Sequence, residues 1–169
     1  MITMVGRDVA SSRALELIRK ELLAKGVESS AHLGNGRTLT SSSEQILKDV
    51  RKSNLALMGM SSSPELAKEE LLAAREALES GVPYGFYADL FGCATRGWFA
   101  PVREKARFVF VLSEEDVRKT RLLFPNAEIV VSGNPVLEDS FFQILKPNME
   151  VRALLGIGSE DLLMYCAAG

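Results

Sequence analysis

Short apolar runs alternate with helical patterns along most of this sequence, and this alternation restricts the possible folds more than any other feature. Leu55–Met60 is continuously apolar, as is typical of a parallel strand covered on both faces. After it, Ala67, Leu71, Ala74 and Leu78 follow at the spacing of one helix face. The strand-then-helix order recurs along the chain, so the sequence predicts an α/β fold. We expect a Rossmann-like parallel sheet of about six or seven strands, with right-handed crossovers and helices on both faces.

The boundaries of these elements can be placed from apolar runs and capping residues. The six predicted strands are Ile2–Val5, Val27–Leu33, Leu55–Met60, Val82–Ala88, Arg107–Leu112 and Ile129–Val131. Asp161–Ala168 is predicted to form a further, seventh strand. Serine N-caps predict four helix starts, at Ser11 or Ser12, at Ser41–Ser43, at Ser63 and at Ser113.

The stretch Glu128–Asp139 predicts where the first domain closes. A β-branched strand is followed by Ser132–Pro135, which breaks the backbone, and a helix is expected from Val136. With 169 residues the chain is long enough for one domain and too short for two full ones. We therefore expect a domain over residues 1–146, with residues 147–169 forming a crossing segment and the first strand of a truncated second domain.

Composition excludes several classes of function. The net charge is −2 with both signs interspersed, so no nucleic-acid surface is predicted. No apolar run reaches the roughly 18 residues that span a bilayer. Cys93 and Cys166 have no metal-type spacing, and a reducing, cytoplasmic setting is expected, with peripheral association at the inner membrane face left open. His32 is the single histidine and is predicted to be structural, so neither a His-based triad nor a multi-histidine metal site is expected.

Three loops follow predicted strands at their carboxyl ends, where ligands collect in open α/β sheets. The first is Gly6–Ser12, where backbone N–H groups at a helix start, together with Gly6, Arg7, Ser11 and Ser12, suit an anion. The alternative is a helix cap with two solvated charges, Arg7 and Asp8. The second loop holds Ser61, Ser62 and Ser63, whose hydroxyls could bind phosphate or sugar hydroxyls, although a plain helix cap is the favoured interpretation.

The third loop, Asp89–Arg96, carries the clearest catalytic candidate. Asp89 directly follows an apolar strand, so partial burial would raise its pKa toward that of a general base. Arg96 could hold an anionic acceptor or orient Asp89, and Trp98 and Phe99 could stack on a sugar. An Asp–Arg pair that ties down a loop, with both aromatic residues in the core, is an equal alternative. Asn134 lies at the end of another strand, in a turn that is more typical of structure than of ligand binding. We expect the three loops to line one depression.

Three segments, in order, resemble one family of sugar enzymes. Residues 54–90 are similar to a strand, polar loop, Ala-rich helix and Gly-x-Pro strand, residues 113–139 to a "GNP" close of a first domain, and residues 152–169 to the opening of a second. These features resemble the N-terminal domain of GT-B-fold glycosyltransferases and the related UDP-N-acetylglucosamine 2-epimerases.

The resemblance implies an acceptor-binding domain of a nucleotide-sugar glycosyltransferase. The donor would be held mainly by the second domain, the acceptor would be a sugar or a lipid-linked sugar, and no metal or other cofactor would be needed. Asp8 and Asp89 are the candidate bases. The epimerases place an acidic residue where this chain has Met60–Ser62, and a Glu near Asp89, so a transferase is favoured. An epimerase relative and a non-catalytic Rossmann or flavodoxin-like binding domain are the alternatives.

The C-terminal run at residues 161–168 is too apolar to be a solvated tail. We expect it to extend its own sheet, to cover a hydrophobic groove, or to form a homodimer through strand pairing.

Overall fold

The computed structural model describes residues 1–39 and 41–138, and beyond them residues 153, 154, 156 and 158. Met1–Val136 form one compact unit and Leu137–Gly169 a second. The first unit contains the predicted Rossmann-like core. The predicted domain boundary at residue 146 and the predicted strand at 161–168 lie outside the described residues.

The first unit is built on a six-stranded sheet in which every pairing is parallel. The strand order is β2-β1-β3-β4-β5-β6. The strands are β1 (Ile2–Gly6), β2 (Ser29–Leu33), β3 (Leu55–Met58), β4 (Tyr84–Tyr87), β5 (Phe108–Val111) and β6 (Glu128–Val131). All six predicted strands are present; β2, β3, β4 and β5 are two or three residues shorter than predicted, and β1 and β6 are one residue longer. The α/β prediction is therefore confirmed.

Five α-helices connect the strands. They are α1 (Val9–Ala24), α2 (Ser43–Arg51), α3 (Lys68–Glu79), α4 (Ala100–Arg103) and α5 (Glu114–Leu123). The predicted caps of α2 and α5 are confirmed, because Ser42 accepts a hydrogen bond from the Gln45 N–H and Ser113 accepts one from the Glu115 N–H.

Two helix starts differ from prediction. Helix α1 begins at Val9 with Asp8 at its N-cap, so Ser11 and Ser12 lie inside the helix and are buried. Helix α3 begins at Lys68 rather than after Ser63. Ser63 instead starts a turn, in which its hydroxyl and carbonyl accept from the Leu66 and Ala67 amides. Only Ser63 forms a local cap of the predicted kind, whereas the hydroxyls of Ser11 and Ser12 donate to backbone carbonyl groups.

Successive strand residues point to opposite faces of the sheet and form two separate cores. On one face, Val5, Met58 and Phe86 pack with residues of α2 and α3. On the other, Met4, Leu57 and Tyr87 pack with Ala14 and Leu15 of α1. Helices thus cover both faces, as predicted. Among the described residues, no helix combines the length and apolarity needed to cross a membrane.

A glycine allows β4 and β5 to approach closely. A Cβ atom at Gly85 would lie 2.3 Å from the carbonyl oxygen of Phe108 and 2.4 Å from its ring. Only a residue without a side chain fits there, so the Phe108 ring lies directly over the β4 backbone.

Candidate functional site

The strand order reverses direction between β1 and β3, and two of the three candidate loops meet at this point. The backbone N–H of Asp8 donates to Ser61 Oγ at 3.1 Å, and the N–H of Ser62 donates to Asp8 Oδ2 at 3.1 Å. Neighbouring chain connections diverge at such a switch point and leave a crevice at the carboxyl ends of the strands. The loop after β1 and the loop after β3 therefore form one hydrogen-bonded unit.

The loop after β4 joins this unit. The guanidinium of Arg96 donates to the carbonyl oxygen of Met60, next to Ser61. Asp89 lies close enough to Asp8 for the Asp8 charge to contribute to a raised Asp89 pKa. From the loop after β6, the Asn134 amide donates to the Asp89 carbonyl at 3.4 Å. Four loops thus gather Asp8, Ser61, Asp89 and Asn134 at one edge of the sheet.

Most of the first loop's polar groups are used to hold the loop itself. Ser12 Oγ donates to the Gly6 carbonyl at 2.7 Å, and Ser11 Oγ donates to the Asp8 carbonyl at 3.1 Å. Both hydroxyls belong to buried residues. Arg7 forms an ion pair with Glu69 at 3.0 Å, so its charge is partly neutralised. The half-exposed carboxylate of Asp8 is the loop's best-placed group for a ligand.

The serine loop after β3 is likewise mostly internal. Ser61 is fully buried, and both its amide and its hydroxyl donate to Glu70, at 2.9 and 2.7 Å. Ser63 stabilises the turn before α3, whereas Ser62 is exposed. The plain structural interpretation therefore describes Ser61 and Ser63 better than the phosphate-binding one.

Glu70 is the residue of this site that sequence reasoning missed. Its side chain is fully buried, and Arg7 N–H adds a third donor to it at 3.4 Å. Burial raises the pKa of Glu70 to about 7, against the opposing effect of the hydrogen bonds from Ser61 and Arg7. A signal was available, since Glu70 lies three residues after Ala67 and four before Ala74, on the buried stripe of α3. An acidic side chain on the buried face of a helix needs hydrogen-bond donors from elsewhere in the protein.

Asp89 is almost completely buried, with 4% of its surface exposed. Its pKa is raised, chiefly by burial and less by Asp8, while the Cys93 thiol and the Arg96 charge oppose the rise. The Cys93 thiol lies 3.6 Å from Asp89 Oδ1, and burial raises the pKa of Cys93 to about 12. Cys93 is therefore a buried, protonated thiol.

Trp98 and Phe99, the two aromatic residues that could have stacked on a sugar, belong to the core. Phe99 is fully buried and packs edge-on against Phe86, with ring centroids 5.4 Å apart. Trp98 packs against the same core cluster. Arg103, which was not predicted to matter, donates to the Ala94 and Arg96 carbonyls at 2.8 and 2.6 Å and so supports the loop from beneath.

Exposed apolar side chains directly follow both aspartates. Val9 comes after Asp8 and is 56% exposed, while Leu90 and Phe91 come after Asp89 and are 51% and 66% exposed. Large apolar groups left in water beside polar loops commonly mark surfaces that contact another molecule.

His32 has neighbours of the types found in hydrolytic triads. Its Nδ1 lies 2.7 Å from Ser41 Oγ and its Nε2 lies 3.2 Å from Asp49 Oδ2. The sequence, from which no His-based triad was expected, did not predict that Ser41 and Asp49 would lie beside His32. The ring is only 4% exposed, and burial lowers the pKa of His32, so it serves as a neutral link between β2 and the region around α2. Across the part of the chain that the structure describes, no group of three or more His, Cys, Asp or Glu residues could hold a metal ion.

Comparisons with known proteins add little to this picture. No protein-family model matches the sequence, and no curated protein does. One similar solved structure is the glutaminase domain of Trypanosoma brucei CTPS with bound acivicin. It is 15% identical, and the match covers 55% of this chain and 38% of that one with a TM-score of 0.35. This likeness is too slight to carry a functional argument, and the fold class follows from the sheet topology.

Proposed function

We propose that this chain is the acceptor-binding domain of a GT-B-like glycosyltransferase that uses a nucleotide-sugar donor. Two lines of support lead there. The ordered sequence segments resemble the N-terminal domain of that family, and the six-stranded sheet is parallel throughout, as expected. The observation that carries most weight is the convergence of Asp8 and Asp89, from separate strands, at the switch point of the sheet.

In this proposal Asp8 is the base that activates the acceptor hydroxyl. Its half-exposed carboxylate takes the hydroxyl proton as the acceptor oxygen bonds to the anomeric carbon of the donor sugar. The bond from that carbon to the nucleotide diphosphate breaks, and the diphosphate leaves with the bonding electrons. The Ser62 N–H holds one oxygen of Asp8 in place. Asp89 is the second candidate, although it is only 4% exposed and so less accessible to an acceptor than Asp8.

The exposed apolar residues favour an acceptor with an apolar portion. Val9, Leu90 and Phe91 each adjoin a candidate base in the chain, so an acceptor hydroxyl bound at Asp8 would have apolar surface nearby. A lipid-linked or alkyl-linked sugar would cover such surface and gain roughly 0.8 kcal/mol for each buried CH₂ group. A membrane-surface location for the complete enzyme is consistent with the same side chains.

One observation favours the epimerase alternative. The sequence lacks an acidic residue beside Ser61, but in space Glu70 supplies a carboxyl 2.7 Å from the Ser61 hydroxyl. That carboxyl is fully buried and both its oxygens accept hydrogen bonds from the protein, so it cannot contact a sugar as it stands. For this reason we retain the transferase as the proposal.

Chemical-shift mapping on the isotope-labelled chain tests the proposal. Simple sugars and their alkyl glycosides are titrated separately, and UDP is titrated alone. We expect the glycosides to shift the amides of Asp8, Ser62, Asp89 and Leu90, while UDP leaves them nearly unchanged. Shifts confined to the opposite edge of the sheet, around Val82 and Glu128, would contradict the proposal. Tight UDP binding at the Asp8 edge would contradict it too, because this domain would then hold the donor.

A further inference from the structure

We propose that Glu70 is a positioning residue that couples the placement of Asp8 to the protonation of one buried carboxyl group. The inference rests on the proposed role of Asp8 for its functional meaning, but the coupling itself is a property of the fold. It would make the candidate site sensitive to pH near neutrality without any histidine in the network.

A continuous chain of hydrogen bonds connects the two acids. The Asp8 N–H donates to Ser61 Oγ, and the Ser61 hydroxyl in turn donates to Glu70 Oε1 at 2.7 Å. Glu70 Oε2 accepts from the Ser61 N–H at 2.9 Å. Next along the chain, the Ser62 N–H donates to the Asp8 carboxylate. Ser61 is thus fixed at both its amide and its hydroxyl by Glu70, and it in turn fixes Asp8.

The hydrogen-bond donors around Glu70 suit the ionised carboxylate, whereas burial opposes its ionisation. All three groups that contact its oxygens donate hydrogen bonds, namely the Ser61 N–H, the Ser61 O–H and the Arg7 N–H. A protonated carboxyl would turn one oxygen into a donor facing other donors. Among the described groups that contact these oxygens, only Ser61 Oγ could accept this proton, and its own hydroxyl would then have to release Glu70.

Packing leaves the pocket little freedom to adapt by other means. A Cβ atom at Gly59, directly after β3, would lie 2.9 Å from Glu70 Oε1 and 2.6 Å from Ser11 Cβ, so the backbone at Gly59 packs closely against the carboxyl. When Glu70 is protonated, the Ser61 hydroxyl and the two loops that it joins must therefore rearrange. These are the two loops that place Asp8.

The surrounding charges allow both protonation states near pH 7. From the loop after β1, Arg7 faces Glu70 with its amide, while its guanidinium pairs with Glu69 on α3. Asp8 lies on the same loop. From the loop after β4, the Asp89 charge disfavours ionisation of Glu70, and Arg96 lies next to Asp89. Within the described residues Glu70 forms no ion pair, and burial raises its pKa to about 7.

The experiment uses NMR to follow Glu70 and Asp8, the two ends of the hydrogen-bond chain, between pH 5 and 9. The Glu70 side-chain carboxyl carbon reports its own titration, and the amide resonances of Asp8, Ser61 and Ser62 report the loops. We expect all three amides to shift with the same midpoint as the Glu70 carboxyl, near pH 7. Glu70→Gln should abolish the shared step, whereas Glu79→Gln, an exposed change on the same helix, should leave it intact.

Ser61→Ala separates positioning from simple burial and keeps the test informative if Glu70→Gln fails to fold. It removes the relay atom, so Glu70 should still titrate while the Asp8 amide no longer follows. Three results would overturn the proposal: a Glu70 carboxyl that does not titrate in this range, Asp8 and Ser61 amides that stay flat through its titration, or a step that persists in Glu70→Gln. None of these readouts uses a sugar. The coupling between Glu70 and Asp8 can therefore be refuted without refuting the glycosyltransferase proposal, and the glycosyltransferase proposal can be refuted without refuting the coupling.

Discussion

The buried carboxyl of Glu70 should make the stability of this protein depend on pH in a way that one substitution removes. The pKa of Glu70 rises from 4.5 to about 7 on folding, chiefly because of burial. Below pH 4.5 the group is protonated in both the folded and the unfolded chain, so its stabilising contribution is fully present. As the pH rises from about 4.5 to about 7, the unfolded chain loses the proton first, and this part of the stability is lost.

The size of the effect follows from the same shift. A rise of this extent corresponds to about 3 kcal/mol of unfolding free energy lost between pH 4.5 and pH 8. Glu70→Gln cannot ionise and avoids this loss, although its amide will fit the donors of Ser61 and Arg7 less well. That poorer fit does not depend on pH. The stability of Glu70→Gln relative to the wild type should therefore improve by about 3 kcal/mol between pH 4.5 and pH 8.

Urea unfolding of both proteins at several pH values measures this difference directly. Other titrating groups cancel in the comparison, among them His32, whose lowered pKa makes both proteins less stable as the pH falls below about 6.5. Glu79→Gln serves as the matched control and should show no such trend. A difference between Glu70→Gln and wild type that is the same at pH 4.5 and pH 8, or that changes in the opposite direction, would refute the reasoning.

Three further expectations follow from the same structure. Calorimetry should give UDP a dissociation constant of about 1 mM or weaker, about 4 kcal/mol of binding, and assays of this chain alone should detect no sugar transfer; micromolar UDP binding would show that the donor site has been assigned to the wrong domain. Gly85→Ala should lower the unfolding free energy by about 1–3 kcal/mol or more because its Cβ would overlap Phe108. Gly97→Ala, which has open space around it, should change the unfolding free energy far less. Equal urea midpoints for the two variants would show that β4 and β5 can separate easily. Phe91→Ser should weaken binding of alkyl glycosides while sparing the free sugars, and equal losses for both would argue against an apolar part of the acceptor site.

The sheet could be predicted because its strands are encoded locally. Continuous apolar runs such as Leu55–Met58 and Phe108–Val111 are typical of strands that are covered on both faces, so the number and order of the strands could be predicted from the sequence. The start of helix α5 could also be predicted, since Ser113 and three acidic residues in the first turn are typical of a helix N-terminus.

Only part of the candidate site could be predicted from the sequence, and the reason is physical. Asp8 and Asp89 could be chosen because each follows a strand at its carboxyl end, which topology brings to one edge. The roles of Arg7, Ser11 and Ser61 depend on partners distant in the sequence, and no local pattern distinguishes a hydroxyl aimed at a ligand from one aimed at a buried acid. Glu70 was missed because an acid in an otherwise ordinary helix is usually solvated.

Binding of a sugar acceptor's hydroxyl at the Asp8 edge of the sheet is the proposed function of this domain. It is tested most directly by the dissociation constant of the best-binding glycoside for wild type, Asp8→Asn and the control Glu128→Gln at the opposite edge. A hydroxyl hydrogen bond to a charged carboxylate contributes about 1.5–3 kcal/mol, so Asp8→Asn should bind roughly ten- to hundredfold more weakly, while Glu128→Gln binds like wild type. Equal affinity in Asp8→Asn and wild type would contradict the account.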